Sequence, residues 1–211
     1  VCRAGFLPMS AHFTGHDILL VQAHEQRCLL RPPHLHIAKC TRRRARGLVI
    51  ATDTSFDRCL HAIVAHHPDR WLTDRLNGAL RELHSRPMAG VATHSVEVYD
   101  GSRLVAGEVG YTCGSVYTSL AGFHAQSGAG SVQLASLGVL LGRAGFMWWD
   151  LGMVIEYKLA LGARVFGRDE FLHRYAQAAA RPAPPFPAGA ACESLVRPAR
   201  GPGRGRYSST G

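Results

Sequence analysis

The sequence has few lysines, no closely paired cysteines and no long apolar run. Of its 24 basic residues only Lys39 and Lys158 are lysines. That skew towards arginine, with abundant Ala and Gly, reads as compositional bias, so no single arginine is informative by its type. Six cysteines (Cys2, Cys28, Cys40, Cys59, Cys113, Cys192) include no C-x-x-C pair. This argues against a zinc ribbon or a disulfide scaffold and fits a reducing compartment. No apolar segment approaches the roughly 20 residues that a membrane helix needs, so a soluble protein with no membrane partner is expected. The chain starts at Val1 rather than Met. A removed targeting peptide is compatible with that start, so the expected location is the cytoplasm, with an organelle as the alternative.

What is present is enough for one domain or two small ones: 211 residues, 46% of them hydrophobic. The net charge is +9. Such a balance favours a polyanionic partner, because Lys and Arg neutralise phosphates and release counterions. The densest basic run is Arg42-Arg43-Arg44-Ala-Arg46. It is read either as a nucleic-acid contact or as a solvated surface face. No aromatic side chains interleave with it, so stacking on single strands there is unsupported.

Periodicity divides the chain. Ile18 to Val21 reads as a strand, Pro32-Pro33 breaks the chain, and Leu48-Val-Ile50 reads as a buried strand. Thr54 or Ser55 is expected to cap a helix carrying Phe56, Leu60, Ile63 and Val64, ended by His66-His67-Pro68. A second helix shows Leu72, Leu76, Ala79, Leu80 and Leu83 on one face and stops at Pro87. The period then changes to two. Ser95 to Tyr99, Asp100-Gly101 and Arg103 to Tyr111 predict a hairpin with a tight turn, and Gly114 to Leu120 a third strand. Ser127-Gly-Ala-Gly130 opens a helix ending near Gly142. Phe146 to Asp150 predicts a short apolar strand, Ile155 to Leu161 a helix closed by Gly162, Arg164 to Phe166 a strand, and Asp169 to about Ala180 a last helix. Residues 181–211 hold six Pro, five Gly and five Arg, so a disordered tail is expected. The expected organisation is a small N-terminal α+β domain over 1–90, a transferase domain over 91–180, and that tail. A meander feeding a Gly-rich loop, a helix and a central strand is the pattern of an acyl-CoA N-acyltransferase (GNAT)-like fold, class α+β.

Three constellations bear on chemistry. Gln126-Ser-Gly-Ala-Gly130 precedes a helix and is either a phosphate-cradling loop or a plain helix entry. Acetyl-CoA users of this fold place the Gln three residues before the first Gly; here it is two. His34-Leu-His36 turns both imidazoles to one side, but no third ligand with suitable spacing follows, so a structural role and no metal are expected. Asp150 follows Phe-Met-Trp-Trp. A carboxylate at the end of a buried strand needs a partner or a task, and it is taken as the candidate catalytic group.

From His94 to Ala163 the sequence resembles leucyl/phenylalanyl-tRNA–protein transferases. The residues that carry this are His94-Ser-Val-Glu97, Leu104-Val105, Gly107, Gly110, Gly114, Phe123, Trp149-Asp150 and Leu161-Gly-Ala163. Gly5-Phe-Leu-Pro8, Leu35-His-Ile37 and Trp71-Leu-Thr73 extend the similarity upstream. The chain departs from the family pattern twice. Ser119-Leu120-Ala121 stands where the family has Gly-Glu-Ser, and Asp150-Leu-Gly152 where it has D-x-Q. Glu108 and Glu156 are the carboxylates nearby in sequence.

The resemblance implies an aminoacyltransferase that moves Leu or Phe from tRNA to the amine of acceptor N-termini beginning with Arg or Lys, marking those proteins for degradation. No cofactor is implied, and a monomer is expected. It implies Asp150 at the reacting centre; Glu108 and Glu156, the carboxylates nearby in sequence, are taken as further candidate substrate contacts. Val116, Leu120, Phe123 and Trp149 would form the donor side-chain pocket. Arg42, Arg43, Arg44 and Arg46 would hold the tRNA. Alternatives are a CoA-dependent N-acyltransferase, or a catalytically altered homologue that binds RNA or N-termini.

Overall fold

A computed structural model describes residues 1–67 and 71–197. Pro68 and the tail beyond Arg197, both invoked above, lie outside the described residues. The chain opens with an antiparallel ribbon, β1 (Leu7–Phe13) and β2 (His16–Gln22). There follow β3 (Gln26–Leu30), α1 (Lys39–Arg44), β4 (Leu48–Thr52), α2 (Phe56–His66) and α3 (Asp74–Ser85). Then come β5 (Val91–Asp100), β6 (Arg103–Cys113), β7 (Val116–His124), α4 (Ala129–Ala144) and β8 (Trp148–Gly152). The chain continues through α5 (Glu156–Ala160), β9 (Arg164–Gly167), α6 (Arg168–Ala179), β10 (Ala190–Ala191) and α7 (Cys192–Val196).

Eight strands form one mixed sheet in the order β10-β4-β5-β6-β7-β8-β3-β9. Among the described residues only the β7–β8 pairing is parallel. The parallel pair follows from the crossover through α4, which returns the chain so that β8 runs in the same direction as β7. The meander β5-β6-β7 is joined by the expected Asp100-Gly101 turn, with Gly101 at φ +60°.

The sheet runs across the boundary expected near residue 90. β3 and β4 precede it, and β5 to β9 follow it. Nor are the described residues after 181 disordered as expected. β10 pairs with β4, and Cys192, Leu195 and Val196 are buried in the same core as α4. A Pro-rich composition does not prevent this, because extended chain and a single helical turn suffice to bury three apolar groups. At the start of α2 Ser55 holds the N-cap position without a side-chain cap bond, and Thr54 makes no cap. Its hydroxyl and the backbone N–H of Ser55 both donate to the buried carboxylate of Glu97, at 3.0 and 3.2 Å. An anion at the helix N-terminus is favoured by the dipole, which accounts for the Glu97 of the His94-Ser-Val-Glu97 segment. α4 runs past Gly142 and ends at Gly145, whose φ of +91° supplies the left-handed cap.

Three apolar clusters hold the sheet. One packs α4 and α7 on one face, another α6 and the β3 end, and the third α2 and α3. Leu161-Gly-Ala163 closes against the loop after β3. A Cβ on Gly162 would lie 2.3 Å from the His34 carbonyl oxygen, and its φ is +102°. Only glycine fits that approach.

Candidate active site

One cavity of about 670 Å³ opens where the ribbon, β7, the start of α4 and the segment after β8 converge. Its walls are apolar: Leu7, Pro8, Met9, Trp71, Leu120, Phe123, Leu134 and Leu151 line it. Its floor is polar. Glu108, Ser119, Gln133 and Lys158 face into it, and His24, His67 and His124 line its sides. A concave, mainly apolar site with a few convergent polar groups is the form ligand sites take.

Glu108 is 3% exposed. Its carboxylate accepts hydrogen bonds from Tyr117 Oη (2.8 Å), Ser119 Oγ (2.7 Å) and Gln133 Nε2 (2.8 Å). Trp149 Nε1 donates to the same Ser119 hydroxyl at 2.9 Å, so the network ties β6, β7, α4 and β8 together. Burial raises the Glu108 pKa above the ordinary carboxylate range, opposed by these three donors and by the charge of Lys158. Leu120 reaches the cavity because the β6–β7 register shifts at Val109/Gly110, leaving it without a direct partner across the ladder.

Asp150 does not face this cavity. Successive side chains in a strand point to opposite faces. Leu151 lines the cavity, while Asp150 turns to the other side, where it is fully buried. There it forms an ion pair with the equally buried Arg27 through both carboxylate oxygens. Thr118 Oγ1 adds a contact at 3.4 Å, and the backbone N–H of Gly152 donates to Asp150 Oδ1 at 2.9 Å. Arg27 stacks over Phe171 with 4.4 Å to the ring centroid and donates to the Gly5 carbonyl at 3.0 Å. The carboxylate marked by sequence is therefore engaged by its neighbours. Gly152 sits at φ +77°, a conformation that disfavours any side chain at the position where the family pattern has Gln.

Other sequence candidates separate in the same way. Leu120, Phe123 and Glu108 line the cavity. Val116 and Trp149 are fully buried in the core and do not line it; Trp149 reaches it through its hydrogen bond to Ser119. Glu156 is exposed in the first turn of α5 and also lies outside it. On α1, Arg42 is half-buried and donates its guanidinium hydrogens to the carbonyls of Ile37 and Val196. Arg43, Arg44 and Arg46 are exposed. Arg44 lies over Gly128, where a Cβ would meet its Cδ within 2.4 Å, at the rim of the cavity.

Sequence reasoning missed Arg27, His24, Gln133 and Lys158. Arg27 carried a signal, as a charge inside the buried apolar run Cys28-Leu29-Leu30. Lys158 carried another, as a lysine in a chain that otherwise uses arginine. His24 and Gln133 carried none. Burial and the neighbouring Arg27 hold His24 below the ordinary imidazole range.

Residues 29–176 match the family of leucyl/phenylalanyl-tRNA protein transferases. The chain belongs to this family. Among curated relatives, the leucyl/phenylalanyl-tRNA–protein transferase of Xanthomonas campestris pv. campestris (strain B100) is 30% identical over 179 residues, spanning 82% of this chain and 70% of its own length. That of Roseobacter denitrificans is 30% identical over 182 residues, spanning 85% and 83%. That of Pseudomonas fluorescens (strain Pf0-1) is 29% identical over 164 residues, spanning 75% and 71%. Among the described residues no helix is long and apolar enough to cross a membrane.

Two measurements test the site in this family member. Arg27→Met leaves the Asp150 charge buried without its partner. Urea unfolding should show a loss of about 3–5 kcal/mol, largely relieved by adding Asp150→Asn. A buried group with a raised pKa contributes stability below its unfolded value, near 4.5, and loses that contribution as pH rises through the folded value. The unaltered protein should therefore gain stability relative to Glu108→Gln as the pH of the unfolding series falls from 8 towards 4.5.

Proposed function

We propose that this chain transfers leucine or phenylalanine from an aminoacyl-tRNA to the N-terminal amine of acceptor proteins that begin with Arg or Lys, marking them for degradation. We read it as a cytoplasmic monomer whose sheet and α4 crossover form a GNAT-like, acyl-CoA N-acyltransferase fold. The observation that carries this reading is the cavity itself. An apolar wall suited to a Leu or Phe side chain sits beside a polar floor, with the exposed Arg44 at its rim.

The reaction is aminolysis of an ester. The donor is already activated, so no covalent enzyme nucleophile is needed. A free α-amine has a pKa of roughly 7.7–8.0, so part of it is neutral and reactive near pH 7. Holding amine and ester in register supplies on the order of 7–11 kcal/mol, against about 10²–10⁴-fold for a general base. Positioning is therefore the larger effect, and a chain that lacks the family pattern's Glu and Gln can retain it.

In this reading Leu120, Phe123, Leu134 and Leu151 receive the donor side chain. Val116 and Trp149 support that wall from behind. Glu108, held by Tyr117, Ser119 and Gln133, faces the donor's or the acceptor's amine. Asp150 is a positioning residue: through Arg27 it holds the end of β8 and the Gly152 turn. Arg43, Arg44 and Arg46 hold acceptor-stem phosphates, with Arg42 fixing the loop before α1. Glu156, exposed beside the cavity mouth, meets the basic N-terminus of the acceptor.

Incubating the protein with labelled Leu-tRNA or Phe-tRNA and peptides beginning Arg, Lys or Ala should give transfer to the first two only. No transfer to any of them would remove the assignment. The arginine role is tested separately. Replacing Arg43, Arg44 and Arg46 with Ala should weaken tRNA binding and lower the slope of log affinity against log salt by about 0.7–0.9 for each phosphate no longer neutralised. An unchanged slope counts against it.

A further inference from the structure

Lys158 sits on α5, directly after the strand whose end opens into the cavity. It is 8% exposed and lines the cavity. An ammonium carries three N–H donors, yet the one hydrogen bond of the Lys158 ammonium among the described residues runs to the Met153 carbonyl at 3.0 Å, beside a cation–π contact with Tyr157 at 5.8 Å to the ring centroid. No carboxylate lies within salt-bridge distance of it among those residues. A buried cation so thinly satisfied is costly. Burial holds its pKa below the ordinary lysine range. The charged and titratable groups around it are Cys28 and Arg27 on β3, Asp150 on β8, Glu108 on β6, His24 before β3 and the neighbouring Tyr157. The first, third and fourth favour its charge, and Arg27 opposes it.

The charge lies too deep to serve solvent. A single oxygen that gains charge only during reaction suits it better. We infer that Lys158 donates a hydrogen bond to the carbonyl oxygen of the donor ester as that oxygen becomes an oxyanion. The inference rests on the transferase reading above.

The electron count is simple. The acceptor nitrogen forms a bond to the carbonyl carbon, and the carbonyl π pair moves onto oxygen, facing Lys158 Nζ. The pair then returns, the bond from carbon to the ribose oxygen breaks, and that oxygen takes the proton lost by the amine. Lys158 keeps its own proton throughout. A donor preorganised for a developing oxyanion in a site that excludes water acts on the transition state more than on the ground state.

The test compares Lys158→Met and Lys158→Arg with the unaltered protein in Leu-tRNA or Phe-tRNA transfer to an Arg-initiated peptide. Lys158→Met should lower kcat by about 10²–10³-fold, with KM for the aminoacyl-tRNA within about threefold of the starting value, as expected when an interaction exists only in the transition state. Lys158→Arg should recover part of the loss. A Lys158→Met variant with unchanged kcat, or with its whole effect in KM, overturns the role and leaves the transferase reading intact. Should the variants not fold, the unaltered protein decides. A phosphonate mimic of the tetrahedral adduct on aminoacyl-adenosine should bind at least about tenfold tighter than the matching neutral amide. That advantage should fall as pH rises and Lys158 loses its proton. Equal binding overturns the role. Absence of any transfer by the unaltered protein overturns both the role and the reading it rests on.

Discussion

The buried pair of Arg27 and Asp150 joins parts of the chain 123 positions apart. It fastens β3 to β8, where the register of the two strands already shifts between Cys28 and Leu29. Through Phe171 and the Gly5 carbonyl it also draws in α6 and the entry to the ribbon. Two charges taken out of water are costly, and the cost is offset only where the remaining lone pairs and protons are satisfied. Here Thr118 and the Gly152 amide satisfy the carboxylate, while Phe171 and Gly5 engage the guanidinium. The cavity lies on the other side of the same strand, so its far wall inherits the rigidity of this pair.

A second polar centre stands on the cavity side. Glu108 is held by donors from β7 and α4, and Trp149 reinforces it through Ser119. Both centres use carboxylates on neighbouring parts of one sheet, but their accessibility differs. Asp150 is closed off by an arginine, whereas Glu108 borders open volume that Lys158 also lines. The two departures from the family pattern fall next to these centres. Leu120 extends the apolar wall at the β7 bulge, and Gly152 takes up a left-handed turn capped by the Asp150 carboxylate. Each departure exchanges a polar group for shape.

Much of the fold was legible because periodicity reports burial. The hairpin at Asp100-Gly101, the α4 and α6 helices and the short β8 strand follow from spacings of two and 3.6 with their glycine and proline stops. β1 and β3 did not stand out. Pro8, with Ser10 and His12 inside it, hides the alternation of β1, and β3 sets a charged residue beside its apolar run. β10 and α7 were hidden by composition, because a few apolar groups among prolines carry no period. Their order comes from packing on β4 and α4.

Family membership, the apolar character of the site and the presence of a buried carboxylate after Trp149 were properties of the sequence alone, since each depends on residue identity and local spacing. Which carboxylate meets the cavity was decided only by tertiary structure. Strand alternation sends Asp150 and Leu151 to opposite faces, and the sequence does not say which face α4 covers and which Arg27 occupies. The same holds for Lys158. Its type is visible in the sequence, but its burial near Glu108 arises from the closure of α5 against a sheet assembled from distant segments. Long-range closure depends on register and packing across the whole sheet, and no local window of residues contains that information.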